Sequence, residues 1–352
     1  MTSMYDNPHK NLIALIFQYI VVALSITVNS TLIWLILSCK RKEFGLYRYL
    51  LLTFASVDIY YAIVHFLVMP IPESYGNAFY MGAHGFVRGK AAVCWFASAH
   101  SHSFPVLVFH FLYRYLAVKG SRFIFLFDRW WFYFVQFLFV AAIGVCWFCV
   151  LYFLYNADDS FVIEYMRPIL EERAIGIALP LDQYSVAVFW TNGTFSGPRW
   201  TPIIGVALMA TTMTVCYSFM IFAAFRIVWY MSHSQRAQSD KTARLQKQLF
   251  TTLMYQMLLP LITAYAPPLI SVVNPFFGVS LSYIANISPI LCGTHPWLDG
   301  CVIIYTIREY RVKLLNTIGR RILGRPLVAS STFKISTASE GLSKTHRSIG
   351  KI

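Results

Sequence analysis

Charged side chains are scarce in this sequence. Of the 352 residues only 12% are Asp, Glu, Lys or Arg, whereas 57% are hydrophobic. An average soluble domain carries about 25% charged residues. This shortage argues against an ordinary soluble domain, and the hydrophobic fraction argues against a disordered chain. The composition is that of a membrane protein.

Five runs contain no charged residue at all. They are 29, 23, 28, 26 and 51 residues long and cover 11–39, 91–113, 130–157, 200–225 and 248–298. Each exceeds the ~20 residues that a helix needs to cross a bilayer. The longest run divides at the turn sequence Asn274 to Gly278, and one more span fits between Arg48 and Glu73. We therefore predict seven spans, near residues 12–37, 49–70, 91–113, 130–155, 203–229, 248–273 and 283–306.

Basic residues are distributed unevenly between the connecting segments. Of the 29 Lys and Arg, 23 lie in 38–48, 114–129, 226–247 and 307–352, and the alternate segments hold six. Basic residues are retained on the cytoplasmic side of short loops. The expected fold is an all-α, seven-transmembrane helix bundle with its amino terminus outside and its carboxyl terminus cytoplasmic. The net charge of +14 then indicates contact with anionic lipid headgroups rather than nucleic acid.

The segment after the last span divides into two parts. Leu314, Leu315, Ile318 and Ile322 recur at helical spacing among basic residues, which favours an amphipathic helix on the inner membrane surface over an ordinary basic tail. From Pro326 onward, Ser and Thr are frequent and hydrophobic residues few. We expect one seven-transmembrane domain at 1–323, which includes this short helix, and a disordered cytoplasmic tail at 324–352.

Polar residues inside the predicted spans converge on one depth. At 1.5 Å per residue, Asp58 and Asp299 lie about 15 and 13.5 Å from the nearest inner charge, and Asn29 and Ser103 both lie about 16.5 Å from theirs. Two neighbouring carboxylates in low dielectric cannot both stay ionised without help. Asp58 and Asp299 are predicted to hold a sodium ion, with Asn29 and Ser103 as further ligands, or to form a protonated, hydrogen-bonded knot that only fixes packing.

The third span carries an inward stripe. Helical spacing aligns six residues, namely Phe96, His100, Ser103, Leu107, His110 and Arg114. Phe96 and His100 would line the outer half of the bundle, where we also place Gln256, Thr263 and Ser288 as candidate ligand contacts. Ordinary core packing is the alternative for His100, since lone histidines in helices are usually satisfied core residues. Prolines at 105, 260, 267, 268, 289 and 296 supply points where helices are expected to bend.

Arg114 ends that stripe at the cytoplasmic boundary, between Tyr113 and Tyr115. An arginine at this height can simply extend to lipid phosphates. Because Arg114 continues the inward face, it can instead hold neighbouring helices together until a partner competes for it.

The segment from Asn156 to Trp200 is the one markedly acidic region, and it lacks cysteine. Cys94 at the start of the third span therefore has no disulfide partner there. The segment contains the sequence Asn192-Gly-Thr, an acceptor for N-glycosylation when it faces the lumen.

Four stretches resemble the nematode seven-helix chemoreceptors of the serpentine receptor class r, or Str, family. They are FGLYRYLLLTFASVDIYYAIVHFLVMPI, HFLYRYLAV, RLQKQLFTTLMYQMLLPLITAYAPP and HPWLDGCVIIYTIREYR. The resemblance implies detection of a small environmental molecule in a sensory cilium, signalling through a heterotrimeric G protein, and no resident cofactor. It places Arg114 in the arginine position of the motif that ends the third span of G protein-coupled receptors. Gly300 and His295 depart from the family's usual proline and tyrosine.

Three other functions compete with a chemoreceptor. The predicted seventh span, 283–306, contains no lysine, which excludes a retinal Schiff base there. An intramembrane aspartyl protease needs two carboxylates at one depth, but the glycine-flanked setting of such enzymes is missing around Asp58 and Asp299. A transporter or channel is disfavoured because the chain has neither paired repeats nor abundant intramembrane charge.

Overall fold

Long apolar helices form most of the structure. The computed structural model describes residues 8–39, 45–156, 158–173, 181–233, 240–279 and 281–328. Within them the helices are α1 (Pro8–Ser38), α2 (Tyr47–Val68), α3 (Lys90–His100), α4 (Ser103–Lys119), α5 (Trp130–Cys149), α6 (Ser160–Arg173), α7 (Trp200–His233), α8 (Asp240–Pro260), α9 (Ala266–Phe276), α10 (Ser282–Thr306) and α11 (Arg308–Leu323).

Six stretches of helix among the described residues are long and apolar enough to cross a membrane unaided. They correspond to α1, α2, α5, α7, α8 with α9, and α10. The third crossing consists of two shorter helices, α3 and α4, in tandem. The predicted seven-transmembrane helical bundle is therefore confirmed.

The break in the third crossing falls at Ser101 and His102. Pro105 lies four residues after Ser101, and a proline ring crowds the carbonyl of the residue four positions earlier while removing one donor. The Ser101 hydroxyl donates to the Ser98 carbonyl at 2.7 Å, and the Ser103 hydroxyl donates to the His100 carbonyl at 3.2 Å. These side chains satisfy carbonyls near the break, as membrane helices require.

Proline also disturbs the sixth crossing. Between α8, which ends at Pro260, and α9, which has prolines at 267 and 268, residues Leu261–Tyr265 form a π-helical turn. Such a turn inserts a residue and rotates the following helix relative to the preceding one. Faces that an ideal helix would align on either side of Pro260 are therefore out of register.

A three-stranded antiparallel sheet lies at one end of the bundle, which we call the sheet end. Its strands are β1 (Pro70–Tyr75), β2 (Ala78–Ala83) and β3 (Ser185–Val188), in that order. Gly76 and Asn77 join β1 to β2 in a two-residue turn, and Gly76 adopts a φ of +52° that glycine accepts readily. The span pattern did not predict this sheet, whose third strand comes from the acidic segment.

The acidic segment also supplies α6 and an ion pair. Arg199 donates to Asp159 at 2.8 Å, and the Tyr80 hydroxyl on β2 donates to Glu73 on β1 at 2.7 Å. Val162, Met166 and Ile169 of α6 pack with Tyr80 and Val186 of the sheet. The segment is thus folded over its described residues. All seven cysteines, which include Cys94, are free thiols.

Helices α1 and α10 approach each other closely through two glycines. A Cβ added at Gly293 would lie 2.8 Å from Val21 Cγ2, and one added at Gly300 would lie 2.7 Å from Val28 Cγ1. The two glycines are seven residues apart on α10, and the two valines are seven residues apart on α1. Glycine on α10 therefore faces valine on α1 twice along one seam. Small residues at such seams let membrane helices pack backbone to backbone.

The chain divides into two compact units after Tyr310. In the second unit, helix α11 extends from the boundary to Leu323, and the Asn316 side chain accepts from the Val328 amide at 2.8 Å. The predicted helix after the last span is present, whereas most of the predicted disordered tail, from residue 329, lies outside the described residues. The attachment of α11 to the membrane surface and the predicted domain boundary between residues 323 and 324 stay predictions.

Candidate functional site

Arg114 joins three helices at the end of the bundle opposite the sheet. It is 2% exposed. Its guanidinium donates to the Gln246 carbonyl of α8 at 2.8 Å and lies 5.5 Å from the centre of the Tyr47 ring of α2. Tyr113 stacks on the same Tyr47 ring, with ring centres 5.6 Å apart, and Tyr115 contacts Tyr230 of α7 at 6.1 Å. A side chain free to extend to lipid phosphate would be exposed, so the structure favours the inward placement.

The two buried aspartates meet in the middle of the bundle. Asp58 of α2 and Asp299 of α10 are 1% and 0% exposed. One donor atom each from Asp58, Asp299 and His295 lie within 4.8 Å of one another. Depth along the predicted spans placed both carboxylates in this layer but did not include His295. Its signal was its position four residues before Asp299, which puts both side chains on one face of a helix.

Asn29 and Ser103 adjoin this layer in different ways. The Asn29 amide donates to the Pro296 carbonyl at 2.9 Å, between His295 and Asp299 in sequence, and its Oδ1 is buried without a hydrogen-bond partner. Ser103 lies beside the Tyr265 hydroxyl, which is within electrostatic range of Asp58 and Asp299. Both predicted members are thus next to the layer, with Asn29 the more directly connected of the two.

A cluster of aromatic rings and histidines lies between this layer and the sheet end. Tyr61 of α2 is central to it, with its ring centre 5.7 Å from His100, 5.2 Å from His295 and 5.9 Å from His65. His100 and His295 are 6.2 Å apart. Sequence patterns singled out His100 but missed Tyr61 and His65, although both lie on the helix face of Asp58, three and seven residues after it.

A cavity of about 110 Å³ lies beside that cluster, on the side of the sheet end. Strands β1 and β2 contribute to one side, and the other walls come from α3, α5, α7, α9 and α10. Its polar groups include His100, Trp147, Tyr155, Tyr265 and Ser288. The Tyr155 hydroxyl and the Trp147 indole nitrogen have no hydrogen-bond partner.

Three of the five predicted contact residues line this cavity, namely Phe96, His100 and Ser288. Gln256 and Thr263 do not. Gln256 is fully buried elsewhere in α8, and the Thr263 hydroxyl donates to the Leu259 carbonyl at 2.9 Å. The π-helical turn puts Thr263 out of register with Gln256, which lies before Pro260.

Comparison with known proteins agrees with this architecture. The family model described as "Serpentine type 7TM GPCR chemoreceptor Str" matches residues 14–315. Serpentine receptor class r-10 of Caenorhabditis elegans is 28% identical over 308 residues, covering 84% of this chain and 88% of the relative. Its Caenorhabditis briggsae counterpart is 26% identical, covering 82% and 85%. G-protein coupled receptor str-33 of Caenorhabditis elegans is 23% identical, covering 82% and 86%. The chain is therefore a multi-pass membrane protein that belongs to the Str family of serpentine chemoreceptors.

Proposed function

We propose that this chain is a chemosensory receptor that binds a small, uncharged and largely apolar molecule and activates a heterotrimeric G protein. The molecule binds in the 110 Å³ cavity, and the G protein binds at the end that holds Arg114. The sheet end faces outside, as the placement of basic residues indicates. Plasma membrane of a sensory cilium is the expected location.

The observation that carries this proposal is a pair of buried contact networks along α2 and the third crossing, one at the cavity and one at Arg114. His100 lines the cavity and touches His295, which belongs to the layer of Asp58 and Asp299. Further along the third crossing, His110 donates to the Leu50 carbonyl of α2 at 3.0 Å and contacts Phe54 and Tyr47, and Arg114 lies on the Tyr47 ring. A ligand that shifts α3 or α10 therefore acts on packed groups that extend to the opposite end.

The chemistry of the cavity indicates the class of ligand. No Asp, Glu, Lys or Arg lines it in the described part of the chain, so a charged ligand would lose its hydration without compensation. The unpartnered Trp147 nitrogen and Tyr155 hydroxyl offer donors to one acceptor atom of the ligand. A compact molecule with a single carbonyl, ether or hydroxyl oxygen fits these requirements.

Filling the cavity tests where the ligand binds. Ala210 of α7 lines the cavity, whereas Ala207 on the same helix is exposed and does not. In cells that express the receptor and a promiscuous G protein, calcium responses to a panel of small uncharged volatiles first identify an agonist. We expect Ala210→Phe to raise its half-maximal concentration at least about tenfold, since a loss of 1.4 kcal/mol suffices. Equal responses of Ala210→Phe and the control Ala207→Phe would contradict binding in this cavity.

Glycosylation tests the orientation of the bundle. Asn192 is exposed in the segment that follows β3, whereas Asn29 and Asn286, which head the other two acceptor sequences, are fully buried. We expect an endoglycosidase to increase the electrophoretic mobility of wild-type protein but not of Asn192→Gln. Thr194→Ala, which removes the acceptor sequence while keeping Asn192, serves as the second variant. Unchanged mobility of the wild type after digestion would argue against an outer sheet end.

A further inference from the structure

Asp58, His295 and Asp299 have the composition of a metal-binding site. Their donor atoms lie within 4.8 Å of one another, and all three residues are buried. For three atoms with that greatest separation, geometry guarantees a point within about 2.8 Å of each. Small rotations of the side chains then reach the 2.0–2.2 Å bonds that zinc forms with imidazole nitrogen and carboxylate oxygen.

The protonation of His295 suits a metal ligand. Its Nδ1 lies 2.7 Å from the Cys292 carbonyl oxygen, and only an N–H can make that contact. In the neutral ring Nε2 then carries the lone pair, and this nitrogen is buried without a hydrogen-bond partner. Histidines that bind metals through one nitrogen usually donate the other to a carbonyl or carboxylate in this way.

The oxygen atoms of the layer are also unpartnered. Oδ2 of Asp58, both carboxylate oxygens of Asp299 and Oδ1 of Asn29 are buried without a hydrogen-bond donor. The Asn29 amide donates to the turn of α10 between His295 and Asp299, so its oxygen lies beside this layer. A buried set of acceptors without donors is costly unless a cation or a proton is bound there.

We propose that Asp58, His295 and Asp299 bind a divalent transition metal ion that links α2 to α10. The inference goes beyond the proposed receptor function, because it concerns the protein without odorant or G protein. A sodium ion would neutralise only one of the two carboxylates and prefers oxygen ligands, whereas a divalent ion neutralises both and a nitrogen ligand favours zinc and its neighbours. The same ion holds the two helices at their present spacing.

The experiment uses full-length receptor purified in detergent and stripped with a chelator. We expect Zn²⁺ to bind at one ion per chain by elemental analysis and to raise the thermal unfolding temperature by several degrees. Na⁺ and Mg²⁺ at matched ionic strength give no such rise. Co²⁺ as a spectroscopic probe gives visible absorption without the intense sulfur charge-transfer band that a Cys292 ligand would produce.

Variants assign the ligands. We expect Asp58→Asn, Asp299→Asn and His295→Gln each to lose the Zn²⁺-dependent rise, whereas His110→Gln, a buried histidine outside the layer, keeps it. Four results would overturn the proposal: less than one zinc per chain, a rise caused by Na⁺ instead, a sulfur band, or an equal rise in Asp299→Asn. Should a variant fail to fold, the stoichiometry and the cobalt spectrum of the wild type still decide. Receptor activation enters none of these measurements, so their failure leaves the proposed function standing.

Discussion

Replacement of Arg114 by alanine is expected to abolish agonist-stimulated G protein activation while leaving delivery to the cell surface largely intact. The guanidinium is the buried group that connects α4 to α8 through the Gln246 carbonyl and to α2 through Tyr47. A backbone carbonyl and an aromatic ring are weaker partners than a carboxylate, so a G protein that offers stronger acceptors can draw Arg114 away from them. We expect signalling to fall close to background, at the upper end of the roughly 5- to 150-fold range that allosteric coupling of 1–3 kcal/mol spans.

Arg226 supplies the matched control for Arg114. It lies on α7 at the same end, is half-buried, and donates to Tyr230, which also contacts Tyr115. Arg226→Ala removes an equal charge and should leave signalling close to that of the wild type. Arg114→Lys should retain only part of the response, because an ammonium lacks the planar fork of donors. Inositol phosphate accumulation, normalised to surface receptor, measures all three, and normal signalling by Arg114→Ala would remove it from the mechanism.

The membrane explains why the seven crossings could be predicted. A helix in lipid must form its backbone hydrogen bonds internally and must be apolar over about 20 residues. The charge-free runs of this sequence meet the requirement for apolar length. The rise of a helix then converts sequence position into depth, which is why the sequence alone sufficed to place Asp58 and Asp299 in one layer. Helical spacing likewise aligned Phe96, His100 and Arg114, all of which are buried.

Other features depend on contacts that one sequence does not display. The sheet pairs β2 with β3 across a gap of about a hundred residues. Local signals for strands were present in the turn at Gly76 and Asn77 and in the β-branched residues at 186 and 188, but the search for apolar spans did not use them. The π-helical turn altered the register of Thr263 relative to Gln256. His295 lies on the helix face of Asp299 and departs from a family pattern, but its place beside Asp58 follows from three-dimensional packing.

Gly300 illustrates how a departure from the family can have a packing cause. Glycine in place of the family's proline could loosen the seventh span, since it lacks a Cβ. In the structure, Gly300 is fitted closely against Val28, and against Asn29 Oδ1 at 3.1 Å from an added Cβ. Its lack of a side chain thus allows α1 and α10 to approach where Asn29 reaches the aspartate layer. The alternative, a flexible hinge, predicts that small side chains at residue 300 would be tolerated without any change in α1.

Gly300→Leu should therefore prevent most of the receptor from reaching the cell surface. The added side chain would overlap α1, and overpacking of a tight core costs typically 1–3 kcal/mol or more. Cys301→Leu, one residue further on and only half-buried, is the matched control and should be delivered almost normally. Surface labelling of an amino-terminal epitope, compared with total protein, measures the difference.

The corresponding alanine variant separates packing from flexibility. Gly300→Ala gains about 1 kcal/mol of helix propensity but places its Cβ 2.7 Å from Val28 Cγ1, a methyl that a β-branched side chain cannot easily move. We expect the clash to prevail and the thermal unfolding temperature in detergent to fall. Val28→Ala removes the clashing methyl. Adding Gly300→Ala to the Val28→Ala variant should therefore lower the unfolding temperature much less than adding it to the wild type. If the two substitutions simply add, the close approach of α1 and α10 is not what requires glycine, and the hinge becomes the better explanation.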